Sequence, residues 1–281
     1  MTTRIFIALG LALLAPAAQA QGLVVQLKGP GLAENAGYLL AEARNLYVGN
    51  GLEVTLLPPS DAPPFETLAR GQADLVVEWM PAALVARENG LPLVNIGQIF
   101  ASPTLRLACR ADAGIADIAQ LPGKTVASPF GGTEFPLAGW LNRAAVPLDS
   151  VTLIPQGDSA EMLRQKQADC ISIRRFATAG IGGANLLDPA AAGAATLEDG
   201  IYALSPARPD DPFLRDRMAR FLQVSIEGWR AAIADPEGSA RLLLGPDPDE
   251  GALQRLTKSL QAMDGVIGDG RLNDAAYLGT V

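Results

Sequence analysis

The chain has 281 residues, 49% of them hydrophobic, which is enough for the core of one large domain or two small ones. Its formal net charge of −8 at pH 7 disfavours nucleic acid and anionic membrane surfaces as partners. It has no histidine, which excludes Ser-His-Asp and Cys-His nucleophile systems and histidine zinc sites. Carboxylate- or lysine-based chemistry stays open, but nothing in the sequence suggests it. We therefore predict no enzymatic activity, no metal and no cofactor.

The first 20 residues have the pattern of a secretory signal peptide. Arg4 gives a short positive segment, residues 5–16 form an apolar run too short for a bilayer of roughly 30 Å, and residues 18–20 are an Ala-Gln-Ala cleavage site. We predict an exported, soluble protein that begins at Gln21, most simply in a bacterial periplasm.

Apolar runs typical of strands alternate with helical runs along the chain. We predict strands at 23–27, 52–57, 73–77, 94–100 and 105–110, and helices at 33–45, 65–70 and 81–88. After Arg110 the rhythm restarts with strands at 125–127, 151–154 and 170–173 and helices at 134–144 and 159–167. Residues 177–195 have no clear assignment, a strand is possible at 201–204, and residues 211–281 read as helical.

This alternation predicts an α/β fold with parallel sheets covered by helices. The two restarts indicate two lobes: residues 21–110 plus 200–281 form lobe 1, and residues 111–199 form lobe 2. A ligand would then lie in the cleft between the lobes, at the carboxyl ends of the strands.

The two cysteines, Cys109 and Cys170, each lie in an apolar run. An oxidising compartment would allow them to pair, but two cysteines far apart in sequence define no disulfide framework. We expect two buried free thiols rather than a disulfide.

A glycine loop follows the predicted strand at 125–127. Gly131 and Gly132 would let the backbone approach a ligand, Thr133 is placed to cap the next helix, and Glu134 lies in the first turn of that helix. A helix N-terminus beside such a loop suits a polar or anionic small molecule. The alternative is an ordinary turn between a strand and a helix, where Glu134 merely favours the helix dipole.

Five segments resemble periplasmic binding proteins of the thiamine-pyrimidine-precursor, sulfonate and nitrate superfamily. They are residues 33–38, 50–55, 73–84, 87–99 and 130–140, and the last three most closely resemble the pyrimidine-precursor branch. The resemblance implies a type II periplasmic-binding-protein fold that captures a small-molecule ligand between two lobes, delivers it to an ABC permease in the inner membrane and catalyses nothing. We expect such a protein to be a monomer.

The chain departs from that branch around the predicted cleft. Lys28 stands where the branch has an Asp-Trp pair, Asn35 where it has a His, and Arg174 and Arg175 where it has Tyr-Asn-Glu. The resemblance implies a flat pyrimidine-like ligand, whereas the added cations favour an anion such as a sulfonate or carboxylate. Ligand identity therefore does not carry over with the fold.

The ends of the predicted lobe 1 strands supply further candidate ligand contacts. Trp79 would stack on a flat ligand or pack beneath its loop, and Glu78 would accept a hydrogen bond from a ligand amine or be a solvated carboxylate. Lys28 would contact the ligand, form an inter-lobe ion pair or lie on the surface; Asn35 lies at the same edge. Ser102 would donate its hydroxyl to the ligand or cap a turn.

Arg174 and Arg175 follow the strand at 170–173. Side chains alternate between the faces of a strand, so at most one of the two should point into the cleft, where it would act as an anion clamp. The alternative is a salt bridge to one of the many surface carboxylates. The sequence does not choose between them. Two alternative functions stay open: an exported histidine-independent enzyme using Glu78 with Lys28, and a sensor that presents its ligand state to a membrane receptor.

Overall fold

The structure is a computed structural model that describes residues 22–29, 31–58, 63–130, 132, 134–177, 181–205, 211 and 213–281. The predicted signal peptide, residues 1–20, lies outside this part of the chain, as do Gly131 and Thr133. Within the described ranges, no helix combines the length and the apolar character that a membrane span requires.

The strands and helices of the described residues alternate for most of the chain, as predicted. They are β1 (Leu23–Gln26), α1 (Leu32–Ala43), α2 (Leu46–Gly49), β2 (Val54–Leu57), α3 (Pro64–Ala69), β3 (Leu75–Trp79), α4 (Met80–Glu88), β4 (Leu93–Phe100), β5 (Leu105–Cys109), β6 (Thr125–Ser128), α5 (Glu134–Arg143), β7 (Thr152–Pro155), α6 (Ser159–Arg164), β8 (Cys170–Arg174), β9 (Asn185–Leu187), β10 (Asp199–Leu204), α7 (Leu214–Ala234), α8 (Pro236–Leu244), α9 (Glu250–Gln261), β11 (Ile267–Gly270) and α10 (Asp274–Thr280).

The strands form two sheets with the same internal pattern. The first has the order β11-β4-β10-β3-β1-β2, and the second β7-β6-β8-β5-β9. In the first sheet β1 pairs in parallel with β2 and β3, and β10 runs antiparallel to β3 and β4. In the second, β6 pairs in parallel with β7 and β8, and β5 runs antiparallel to β8 and β9. Each sheet thus places an antiparallel strand beside a parallel trio.

The antiparallel strands that lie beside the parallel trios, β5 and β10, are the ones that directly follow each passage of the chain between sheets. The chain leaves the first sheet after Phe100 and returns at Asp199. Strand β5, which we assigned to lobe 1 from the sequence, is hydrogen-bonded into the second sheet. An apolar run does not reveal which sheet it joins, because its partners, β8 and β9, lie far along the chain.

Helices cover both faces of the first sheet. In β3, Leu75 and Val77 face a core that includes residues of α1 and α7, whereas Val76 between them faces α3 and α4. This burial on both faces explains why the strands read as continuous apolar runs. It also holds the carboxyl ends of β1 and β3 side by side, next to the point where β10 begins.

The crossing of α1 and α7 depends on two glycines. A Cβ atom added to Gly228 would lie 2.1 Å from the carbonyl oxygen of Gly37, and one added to Gly37 would lie 2.2 Å from Cγ of Trp229. Neither position accepts a larger residue without moving a helix. The close crossing fixes α1 behind β1, and so fixes the turn between them.

Strand β11 corrects the helical prediction for residues 211–281. Its sequence, Ile-Gly-Asp-Gly, has low strand propensity, yet Ile267 and Gly270 pair with β4. A Cβ atom on Gly268 would lie 2.8 Å from Cβ of Ala101, so the glycine permits the close approach of β11 to the segment that follows β4. Likewise, β9 lies inside the stretch 177–195 that had no assignment.

Cys109 and Cys170 form a disulfide, so the expectation of two free thiols was wrong. They face each other in the antiparallel ladder of β5 and β8, with their Cα atoms 3.9 Å apart. Both are fully buried, as expected for their apolar runs. The sequence separation of 61 residues concealed a pairing that the strand register creates.

Candidate functional site

Trp79 lies between side chains of both sheets. It ends β3 and is only 1% exposed. Nζ of Lys28, just after β1, lies 4.4 Å from the centroid of its ring, and Cζ of Arg174, at the end of β8 in the second sheet, lies 4.5 Å from it. Cation–π contacts are worth about 2 kcal/mol or more when desolvated, so the indole links the two sheets.

Two buried carboxylates that the sequence analysis missed neutralise these cations. Oδ1 of Asp199 lies 3.1 Å from Nζ of Lys28, and Oδ2 lies 3.4 Å from Nη2 of Arg174. Oε2 of Glu198 lies 3.3 Å from the same Arg174 nitrogen. Buried charges are tolerated only when paired, and these four side chains are all buried. We call Lys28, Arg174, Glu198 and Asp199 the ionic cluster.

Glu198 also joins the two passages of the chain between the sheets. Its Oε1 accepts hydrogen bonds from the backbone N–H groups of Thr104 (2.6 Å) and Leu105 (2.7 Å), and its Oε2 accepts one from the Thr104 hydroxyl (2.6 Å). Thr104 lies in the first passage, and Glu198 ends the second. One carboxylate therefore fixes both connecting segments relative to each other. The available sequence signal was a pair of adjacent acids immediately before an apolar strand.

Glu78 is a buried acid that does not belong to the ionic cluster. Its Oε1 accepts a 2.7 Å hydrogen bond from the backbone N–H of Trp79. Burial raises the pKa of Glu78 to about 7, even though Lys28 and that backbone N–H both act to lower it; Asp199 and Glu34 raise it further. Near neutral pH this carboxyl exchanges between a proton donor and an acceptor.

Gly132, which follows β6 of the second sheet, packs against α4 and the Glu78 side chain of β3. Gly132 has φ +128°, and a Cβ atom there would lie 2.9 Å from Cβ of Ala82 in α4 and 3.6 Å from Oε1 of Glu78. Its N–H donates a 2.7 Å hydrogen bond to Oε2 of Glu134. Only a residue without a side chain fits here, because both the space and the left-handed backbone require it.

Two other sequence candidates, Asn35 and Ser102, form hydrogen bonds to backbone carbonyl groups. Asn35 donates from Nδ2 to the carbonyl oxygens of Lys28 (2.9 Å), Gly29 (3.3 Å) and Gly31 (3.1 Å), so it shapes the turn that carries Lys28. Half-buried Ser102 donates its backbone N–H to Val266, 3.4 Å away.

Of the two arginines, Arg174 enters the ionic cluster. Arg175 is half-buried and donates its backbone N–H to the carbonyl oxygen of Thr104, 2.8 Å away. The structure thus brings Lys28, Glu78, Trp79, Gly132 and Arg174 together. Among the described residues, no group of acidic or cysteine side chains is arranged to hold a metal ion.

A family profile described as "NMT1/THI5 like" matches residues 33–239 of the chain. The chain belongs to this family. One relative of this NMT1/THI5-like protein is a Haemophilus influenzae protein named for thiamine biosynthesis, 27% identical over 127 residues. That stretch covers 45% of this chain and 40% of the relative's length.

Two solved structures with the same fold are described as binding components of transport systems or as periplasmic binding proteins. The periplasmic aliphatic sulphonate binding protein SsuA of Escherichia coli matches with a TM-score of 0.70 at 17% identity, over 91% of this chain and 87% of that one. The ligand-binding component of an ABC-type import system from Staphylococcus aureus matches with a TM-score of 0.63 at 10% identity, over 92% and 88%. The NMT1/THI5-like chain therefore has the periplasmic-binding-protein fold, with two lobes and a central cleft, as the sequence predicted.

Proposed function

We propose that this protein is the periplasmic solute-binding component of an ABC importer and captures a small, flat organic solute between its lobes without converting it. The observation that carries the proposal is the assembly of one site from both sheets. Trp79 and Glu78 come from the first sheet, Arg174 and Gly132 come from the second, and they contact one another across the two sheets. The fold shared with SsuA and with the Staphylococcus aureus import component supports this role.

The chemistry of the site favours a flat ring that carries nitrogen atoms. The Trp79 indole, which Lys28 and Arg174 contact in this structure, would offer a stacking face once the lobes separate. Glu78, with a pKa of about 7, would donate to a ring nitrogen or accept from an amine. The thiamine-biosynthesis relative supports a pyrimidine-like solute over a sulfonate or carboxylate. Because Trp79 is buried, the solute would reach it only when the lobes separate by hinge motion.

Native mass spectrometry of protein purified from the periplasm would reveal a retained solute by its mass. Protein stripped of that solute should then gain stability when pyrimidines are added, by about 2.7 kcal/mol at a hundredfold excess over Kd. The thermal screen should also contain alkanesulfonates, aromatic carboxylates and nitrate. If no compound raises Tm, the solute-binding proposal fails.

The same experiment separates binding from catalysis. A bound solute that is recovered with unchanged mass after long incubation supports a carrier, whereas a product would support the histidine-independent enzyme with Glu78 as its acid or base. Replacing Trp79 with Leu should remove the stacking face and weaken solute binding about tenfold, in line with base-on-aromatic stacking of about 1–3 kcal/mol. Trp140→Leu, in the core of the second lobe, is the matched control and should lower Tm without a specific loss of affinity.

A further inference from the structure

We propose that Asp199 is an internal counter-ion that occupies the place of an anionic solute, and that it makes the cleft select against anions. The inference rests on the proposed function and names the charge class that the same site accepts. It reverses the expectation, drawn from Lys28 and the arginines in the sequence, that these cations are available to an anionic ligand.

The carboxylate of Asp199 makes the contacts that a stacked anion would need. Its oxygens lie 3.1 Å from Nζ of Lys28 and 3.4 Å from Nη2 of Arg174. Both cations lie against the ring of Trp79, at 4.4 and 4.5 Å from its centroid. An anion stacked on that indole would need the same two cations as partners, and both are already paired with Asp199.

The backbone holds Asp199 in this place. It is the first residue of β10, and in the antiparallel ladder it is the register partner of Trp79. Its side chain is only 2% exposed. The carboxylate is therefore a fixed part of the sheet, and an incoming anion would have to break two buried ion pairs to displace it.

The charge count also disfavours an added negative charge. The ionic cluster contains two cations, Lys28 and Arg174, and two carboxylates, Glu198 and Asp199, so it is balanced without a ligand. Glu198 is further held by the N–H groups of Thr104 and Leu105. Specificity often depends on such built-in repulsion of the wrong ligand. A neutral or cationic flat solute meets no such obstacle.

The test compares the wild type with Asp199→Asn, using benzenesulfonate as a flat anionic probe in isothermal titration at constant ionic strength. The wild type should bind the probe at least about tenfold more weakly than D199N, a difference of about 1.4 kcal/mol. Asp188→Asn is the matched control, because Asp188 also pairs with an arginine, Arg106, at 2.9 Å but outside the cluster. It should behave as the wild type.

Removing Asp199 leaves two buried cations with one carboxylate, so D199N should be unstable and should recover stability when benzenesulfonate is added. The double variant K28M/D199N restores the charge balance; it should fold without the probe and should not gain affinity for it.

The proposal is overturned if D199N binds no better than the wild type or if no anion restores a misfolded D199N. It is also overturned if the wild type binds benzenesulfonate through Lys28, which loss of binding in K28M would show.

These outcomes are distinct from failure of solute capture. A wild type that retains no solute and responds to no compound in the thermal screen contradicts the carrier function, even if D199N gains the anion. Conversely, a wild type that captures a flat neutral or cationic solute while D199N gains nothing leaves the function standing and removes the role of Asp199.

Discussion

Glu78 is a buried carboxylate whose charge state changes near neutral pH. Its folded pKa, about 7, lies above the ordinary value of 4.5, so the folded protein holds a proton that the unfolded chain has released between these values. The stability that this proton contributes is fully present below pH 4.5 and is lost as the pH rises through 7. The groups that set this shift besides burial are Lys28, Asp199, Glu34 and the N–H of Trp79.

Glu78→Gln should therefore flatten part of the pH dependence. In ligand-free protein, the free energy of unfolding of the variant relative to the wild type should rise by about 3 kcal/mol between pH 4.5 and pH 8. Urea unfolding at several pH values measures this. Glu66→Gln, at an exposed pair with Arg70 on α3, should leave the difference constant. If the difference in unfolding free energy between E78Q and the wild type is also constant, the Glu78 carboxyl of the folded wild type is already ionised in that range.

Gly132 packs against Ala82 of α4. Gly132→Ala should cost about 1–3 kcal/mol, because the backbone there is left-handed and the new methyl group would meet Ala82. It should also weaken solute capture, since the methyl group holds the lobes apart.

Gly139→Ala provides a matched control for this prediction. Gly139 lies within α5, and an added Cβ atom there meets open space, so the substitution should stabilise the helix by about 0.5–1 kcal/mol. Thermal unfolding and ligand titration of both variants check the pair. Equal effects of the two substitutions would contradict the steric role of Gly132.

The disulfide between Cys109 and Cys170 cross-links β5 and β8 in the second sheet. It closes a chain segment of 61 residues, so the double variant Cys109→Ala and Cys170→Ala should lose about 4 kcal/mol in the chain-entropy description. Urea unfolding with and without dithiothreitol measures this; the reductant should destabilise the wild type and leave the double variant unchanged. A loss below about 1 kcal/mol would mean that the β5–β8 ladder needs no cross-link.

Local patterns predicted the strands and helices well but not their long-range partners. The run before Glu78 and Trp79 identified β3 and the residues at its end, because burial on both faces leaves a continuous apolar stretch. The same kind of run could not show that β5 belongs to the second sheet or that Cys109 faces Cys170, since both depend on register. The sequence did not predict Asp199 and Glu198 as site residues, because both act by pairing with Lys28 and Arg174, which are distant in sequence.

At the scale of the whole molecule, Glu198 holds the two connecting segments between the lobes. Glu198→Gln keeps the shape but removes the charge that faces Arg174 and the N–H groups of Thr104 and Leu105. Breaking a buried pair of this kind costs about 3–5 kcal/mol. We expect a lower Tm and, in small-angle scattering, a larger radius of gyration.

Glu237→Gln is the control for Glu198, because Glu237 makes an exposed pair with Arg241 on the surface of α8. Exposed pairs of this type contribute about 0.3–0.5 kcal/mol, so this variant should keep both Tm and radius of gyration near the wild-type values. An unchanged radius for E198Q would mean that the carboxylate stabilises the connecting segments without governing lobe separation.

The order of the strands along the chain has a consequence for the order in which the two sheets assemble. The second sheet uses only β5 to β9, an uninterrupted stretch that is complete once Leu187 has emerged. The first sheet is complete only when β10 and β11, which follow the second sheet along the chain, have joined it. We therefore expect the half that contains the disulfide to form first and to serve as a template, while the half that carries Trp79 stays unfinished until β10 and β11 pair.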